Sequence, residues 1–219
     1  MEIIIICSTN ASVTKRVVNA GVVNNQDIKI ISDRDCGAIS FAKEKKLEYE
    51  ILESSTGREF SEKLAVKYEG RKDILFISFY TKLFYGSFIK EHSTRLINFH
   101  PSILPSCPGM DGFGDTLKSG AMFIGSTVHF VDYGVDTGMP ILQAAFPRSP
   151  LMTVKELRHR VYLQQSICLL QIIVWFQSGR VNLNAGDREI IKNAKYDVGE
   201  FSPNIDREIH DLFEAWLLE

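Results

Sequence analysis

The sequence lacks most features that fix a function class at sight. Among its 219 residues there are four cysteines, Cys7, Cys36, Cys107 and Cys168. No two of them form a C-x-x-C pair, and no cysteine and histidine group has zinc spacing. A disulfide scaffold and a zinc module are therefore excluded, and the thiols fit a reducing compartment. An excess of charge of one sign is also missing. The formal net charge is -2, with acidic and basic residues interspersed. Such a balance leaves no footprint for nucleic acid or for an anionic membrane. Long hydrophobic runs are absent too: the opening Met1–Ile6 stretch is far too short to span a bilayer. It also lacks the basic segment of a signal peptide. These absences predict a cytoplasmic chain. There is no internal repeat, low-complexity segment or clear domain linker.

What is present is ample apolar material. Hydrophobic residues make up 45% of the chain, enough for one globular domain with a small C-terminal addition. We place the domain at residues 1–186 and the addition at 187–219. Glu2 to Cys7 is a continuous β-branched run, as in a strand buried on both faces. Ser12 is placed to cap a helix reaching about Ala20. Strands follow at 28–32, 49–52, 74–79 and 95–98, separated by helical spacing at 37–46 and 58–68. This alternation predicts an α/β fold with an open, mostly parallel, Rossmann-like sheet and helices on both faces. Ligands bind beyond the carboxyl ends of such strands. Further on, 129–132 and 141–146 read as strands. Thr153 and Glu156 form a capping box that opens a helix ending near Gly179. Its apolar stripe runs through Val154, Leu157, Val161, Cys168, Ile172 and Trp175, and is broken at Gln165. A last amphipathic helix covers about 206–218.

Two segments carry chemistry. In Asn98-Phe99-His100-Pro101-Ser102, alternation at a strand end puts Asn98 and His100 on one face. An amide and an imidazole pointing the same way can donate two hydrogen bonds to an oxyanion. A polar strand end is the plain alternative. Gly125-Ser126-Thr127-Val128-His129-Phe130-Val131 then leads to Asp136-Thr137-Gly138, an acidic residue in a glycine-flanked loop. Such a loop can bring a carboxylate against an imidazole and favour its protonated form.

Taken together, these segments resemble the glycinamide ribonucleotide formyltransferase family of folate enzymes. Its patterns Asn-x-His-Pro-Ser-Leu-Leu-Pro, Gly-x-Ser-Val-His-Phe-Val and Asp-x-Gly-x-x-x-Leu-Gln occur here in order, with small variations. Arg58-Glu59-Phe60 and Trp175-Phe176-x-x-Gly179-Arg180 extend the match over roughly residues 1–181. The resemblance implies formyl transfer from 10-formyltetrahydrofolate to a primary amine, without a metal. It implies that Asn98 and protonated His100 stabilise the tetrahedral oxyanion, and that Asp136 orients His100 and moves protons through a water. The folate would lie over the backbone of Thr81, Lys82, Leu83 and Phe84 and against Val135 and Asp136. The acceptor side would take in Asn10, Ala11, Ser12, Arg58, Phe113 and Gln165. Lys82 is read either as a contact to an anionic acceptor or the folate tail, or as an exposed lysine. His129 reads as structural, and His92, His159 and His210 as solvated surface residues.

The departures from the pattern fall on the acceptor side. The first loop of the family is Ser-Gly-x-Gly-Ser-Asn. Here both glycines are gone, replaced by Thr9 and Ala11, so close phosphate approach is impeded. Gln165 stands where the family carries Glu, and Phe113 where it often carries His; an aromatic face there can stack on a sugar or a base. Two acceptors follow as expectations: glycinamide ribonucleotide, as in purine biosynthesis, or an amino sugar of a surface or flagellar glycan. A folate hydrolase would carry a second His in place of Pro101. A tRNA formyltransferase would carry a basic C-terminal domain, and a non-catalytic binder would not keep Asn98, His100 and Asp136. The tail has three roles open to it: covering the site, extending the core or forming a homodimer contact.

Overall fold

The computed structural model describes residues 2–182 and 190–219. The chain divides into two compact units. One runs to Asn98 and takes back Phe130–Gly138; the other holds Phe99–His129 and Met139–Glu219.

The first unit is built on parallel strands. β1 (Glu2–Cys7), β2 (Ile28–Ser32), β3 (Glu48–Ile51), β4 (Ile74–Phe79) and β5 (Leu96–His100) line up in the order β3-β2-β1-β4-β5. The four consecutive isoleucines Ile3 to Ile6 are all fully buried. Since successive side chains point to opposite faces, both faces of β1 are covered, as a central parallel strand requires. The connections are helical: α1 (Ser12–Asn19), α2 (Gly37–Lys45), α3 (Gly57–Lys67) and α4 (Gly86–His92). One core cluster joins Ile4, Ile6 and Phe76 to Phe60 and Leu64 of α3 and Phe88 of α4. Phe76 makes edge-on contacts with Tyr68 at 5.2 Å and Phe88 at 5.1 Å. Each such pair contributes about 1 kcal/mol beyond its buried area.

The second unit contributes α5 (Gly112–Lys118), β6 (Phe123–Phe130), β7 (Pro140–Pro147), α6 (Val154–Gln177), β8 (Phe201–Ser202) and α7 (Arg207–Leu217). β6 pairs antiparallel with β7, and β7 with β8. The predicted capping box is present: Thr153 accepts from the Glu156 N–H, and the Glu156 carboxylate accepts from the Thr153 N–H at 2.7 Å. Among the described residues, five parallel strands against three antiparallel ones give the α/β, mostly parallel architecture expected from the sequence.

Several expectations shift. Ser12 is the first residue of α1 and not its cap; Ala11 holds the cap position, with no side-chain hydrogen bond. β6 begins at Phe123, so the strand expected at 129–132 is longer and ends before Asp132. The fully exposed reading of His92 is corrected: it is 2% exposed, with its ring on Phe76 and Phe88 at 4.8 and 5.1 Å. His159 and His210 do lie on the exposed surface, and His129 is buried within β6.

The expected boundary at 186 and 187 lies outside the described residues. From residue 190 onward the tail belongs to the second unit. Two matched clamps tie it to α6. Glu200 receives hydrogen bonds from Arg160 at 2.6 Å and Gln164 at 2.8 Å. Asp206 receives them from Arg180 at 2.7 Å and Gln171 at 3.0 Å. The Asp206 N–H returns a bond to Gln171 Oε1 at 2.6 Å. Burial opposes the charge of Asp206, but the bonds from Arg180 and Gln171 outweigh it and lower its pKa. No helix among the described residues is long and apolar enough to cross a membrane.

Candidate active site

In the first unit, the candidate residues gather where parallel strands end. Loop 8–12 leaves β1, and segment 80–84 leaves β4. The Ser8 and Thr81 hydroxyls are 2.9 Å apart, and the Thr81 N–H donates to Ser8 Oγ at 3.3 Å. Asn10 is exposed, and a Cβ on Gly37 would stand 2.2 Å from its Oδ1. Glycine at 37 thus lets the amide close onto the start of α2. Ala11 has φ +52°, a left-handed backbone that L side chains reach only at a cost of about 1–2 kcal/mol. The glycine of the family pattern is gone at this position, but the backbone form it favours remains. Ser12 is exposed on the first turn of α1.

Lys82 is engaged within the protein. Its ammonium donates to Asp33 Oδ2 at 2.7 Å and to the Ser55 carbonyl at 3.1 Å. Leu83 is exposed and Phe84 is buried against Tyr80. Arg58, in the first turn of α3, lays its guanidinium over the Tyr85 ring at 5.0 Å. Asn98 is half-buried on β5, in register with Ser78 of β4.

The loop carrying Val135 and Asp136 is tightly specified. The Val131 N–H donates to the Leu96 carbonyl at 2.8 Å, which starts the loop beside β5. Asp132 Oδ1 then accepts from the Gly134 N–H at 3.0 Å and from the Thr137 hydroxyl at 2.7 Å. A Cβ on Gly138 would stand 1.7 Å from the Phe130 carbonyl, and one on Gly134 1.9 Å from Thr137 Oγ1. At Gly138 the backbone carbonyl leaves no room for a side chain, and at Gly134 one would require Thr137 to shift. Asp136 itself has φ +54° and is half-buried. Left-handed backbone at a non-glycine residue persists only where the surroundings over-determine it.

In the second unit, His100 ends β5 and is 3% exposed. Its Nε2 lies 2.7 Å from the Cys107 carbonyl. A carbonyl only accepts, so Nε2 carries a proton in this arrangement. The same carbonyl accepts from the Ser102 hydroxyl at 3.1 Å, and Cys107 has φ +53°. Loop 101–107 is anchored by Thr127, whose hydroxyl donates to the Ser102 carbonyl at 2.8 Å and accepts from the Leu104 N–H at 3.0 Å. Gln143 adds a bond to the Leu104 carbonyl at 2.8 Å. A Cβ on Gly112 would stand 2.4 Å from His100 Nε2, so the ring is seated against a bare backbone.

Two acceptor-side candidates fare differently. Phe113 is 2% exposed and belongs to the core cluster with Ile124, Phe146, Leu157 and Val161. The Arg158 guanidinium covers its ring at 4.3 Å. The stacking role expected of Phe113 is corrected to a packing role, because no open face remains. Gln165 is half-buried on α6. Its neighbour Gln164 is the fully buried amide that enters the core and bonds to Glu200.

Sequence reasoning missed Gly112, Cys107, Asp132 and Asp33. A signal existed for the first: Gly109, Gly112 and Gly114 crowd six residues just after the Asn98–His100 segment. Among the described residues, no three His, Cys, Asp or Glu side chains form a group suited to a metal ion.

The formyl transferase family model matches residues 1–173. The phosphoribosylglycinamide formyltransferase of Haemophilus influenzae is 32% identical over 111 residues, covering 51% of this chain and 52% of that protein. The trifunctional purine biosynthetic protein adenosine-3 of Drosophila melanogaster is 39% identical over 92 residues, covering 42% of this chain and 7% of that protein. The match thus spans about half the length of the first of these relatives and a small part of the second. Among solved structures, glycinamide ribonucleotide transformylase 1 from Symbiobacterium toebii superposes with a TM-score of 0.75 at 27% identity, covering 88% of this chain and 94% of that one. With the family model matched over most of its length, the chain belongs to the formyl transferase family.

Proposed function

We propose that the chain transfers the formyl group of 10-formyltetrahydrofolate to the amine of glycinamide ribonucleotide. The observation that carries this reading is His100, held at the end of β5 by Cys107 and Gly112, two residues from Asn98 in a formyl transferase. The folate derivative supplies the formyl group. The acceptor nitrogen forms a bond to the formyl carbon, and the bond from that carbon to the folate nitrogen breaks. Between these events the carbonyl oxygen carries negative charge. The Asn98 amide and His100 donate hydrogen bonds to it. Asp136 passes the proton lost by the amine to the folate nitrogen, through a water. The backbone of 81–84, with Val135, takes the pterin.

Three features of the sequence point toward an amino-sugar acceptor: the lost glycines, Phe113 and Gln165. Phe113 is now a core residue under Arg158. Ala11 keeps the positive φ of a glycine loop. Thr9 and Gln165 remain as departures from the family pattern, but the backbone at Ala11 and the burial of Phe113 favour glycinamide ribonucleotide as acceptor. The test is direct. The protein is incubated with 10-formyltetrahydrofolate and glycinamide ribonucleotide, and released tetrahydrofolate is followed by absorbance. A kcat/KM of about 10⁴ M⁻¹s⁻¹ or more is expected. Folate binding without turnover would reject this acceptor and turn the assay to nucleotide-linked amino sugars.

A further inference from the structure

The carboxylate of Asp33 is fully buried, yet four donor atoms converge on it. Arg34 forks onto it through Nε and Nη2, each at 2.8 Å. Lys82 Nζ reaches Oδ2 at 2.7 Å, and the Tyr80 hydroxyl reaches the same oxygen at 3.2 Å. Asp33 directly follows β2, Tyr80 directly follows β4, and Lys82 lies two residues further on. β1 lies between these strands, so the contact spans two strand spacings, about 10 Å. It passes the end of β1, where the loop with Asn10 begins. The backbone of Asp33 is tied in as well, its carbonyl accepting from the Ser54 N–H at 3.1 Å.

Segment 80–84 is therefore held from three sides. Ser8 fixes Thr81 at the end of β1, and Asp33 fixes Tyr80 and Lys82 from the end of β2. On the third side, Lys82 bonds to the Ser55 carbonyl, and a Cβ on Gly57 would stand 2.2 Å from the Leu83 carbonyl. A bare α-carbon there lets the start of α3 press on the segment. The Lys82 side chain is 30% exposed and the Asp33 side chain not at all. The lysine is thus drawn inward to a buried partner. Burial disfavours the charge of Asp33, but the hydrogen bonds from Arg34 and Lys82 prevail and lower its pKa.

We propose that Asp33 is a positioning residue for the formyl donor: it uses Lys82 and Tyr80 as struts to set the backbone of 81–84 against which the donor's ring system binds. This rests on the formyl-transfer reading above. In this arrangement Lys82 acts through the protein and not as a ligand for the anionic tail of the donor. The two roles make opposite predictions for a donor without a tail. Asp33→Asn leaves Arg34 and Lys82 facing an amide that offers one acceptor oxygen and unwanted N–H groups.

The experiment compares 10-formyltetrahydrofolate with 10-formyltetrahydropteroate, which lacks the glutamate. Both are run with wild type, Asp33→Asn and Lys82→Met, with circular dichroism and thermal melts as folding controls. Both variants are expected to raise donor KM about tenfold, by the same factor for the two donors. The kcat and the acceptor KM should stay within about twofold. A KM increase confined to the glutamate-bearing donor would make Lys82 a tail ligand and overturn the proposal. So would an unchanged donor KM in either variant. If Asp33→Asn does not fold, Lys82→Met carries the same comparison with the same outcomes. Wild-type protein that binds neither donor, read by ligand-induced fluorescence change, would instead overturn the formyl-transfer reading and this inference with it.

Discussion

His100 and Gly112 depend on each other: a single methyl group at 112 would stand 2.4 Å from Nε2 and 2.7 Å from Cε1 of the imidazole. No real contact is that short, so the ring or the start of α5 must give way. Gly112→Ala is therefore expected to lower kcat by about 10²–10³, the usual effect of losing one oxyanion donor. Donor KM should change little and the fold should persist. Wild-type kcat in a folded Gly112→Ala protein would remove His100, as seated here, from the chemistry.

Asp136 and Asp132 share a loop but differ in task. Asp136→Asn should reduce turnover by about 10²–10⁴, the range for a lost acid–base group, with folate binding largely intact. Asp132→Ala removes the acceptor for Gly134 and Thr137. It should lower kcat through misplacement of Asp136 while costing only about 1 kcal/mol of stability. Steady-state kinetics beside urea titrations separate these effects. Full activity of Asp136→Asn would strike it from the mechanism.

Gln165→Ala should raise acceptor KM about tenfold and leave folate KM within about twofold. Equal changes in both constants would mark Gln165 as structural.

His92 links stability to pH. Burial lowers its pKa below 6.5, partly offset by Glu91. Above about pH 6.5 the ring is neutral in folded and unfolded chains alike. Below that, the unfolded chain binds a proton that the folded one resists, so stability falls as pH drops from about 6.5 toward the folded pKa. Urea midpoints measured from pH 7.5 to 5.0 should decline less for His92→Phe than for wild type. Parallel declines would refute the link.

Much of this was legible in the sequence where a strong local pattern existed. The isoleucine run fixed β1 to the residue, and Ile74–Phe79 did the same for β4, because a doubly covered strand needs a continuous apolar run. Thr153 and Glu156 located the start of α6, since a capping box is a local hydrogen-bond pair. The short helices α4 and α5 were not read, because seven residues hold too few turns for a period to emerge. His92 looked solvated beside Lys90 and Glu91, yet its partners Phe76 and Phe88 are set by the fold. Phe113 reads as an acceptor-side aromatic, while Ile124, Phe146, Leu157 and Val161, distant in sequence, make it core. Asp33 carries no local signal of its role; only the strand order brings Tyr80 and Lys82 to it. In the candidate site, the groups proposed to react are those the sequence pattern names. The residues that hold them were not, because close approach by Gly112 and the loop ties of Asp132 are three-dimensional facts.

The two clamps on α6 have a consequence for how this helix can change. Gln164 and Gln171 are seven residues apart, close to two full turns, and each grips a carboxylate of the tail. Removing one residue between them would swing one amide about 100° around the helix and release its partner. Faster cleavage of the tail in limited proteolysis would report it. The helix thus keeps a phase as well as a composition, like a key cut to open two locks at once: substitutions along it are negotiable, but its count of residues is not.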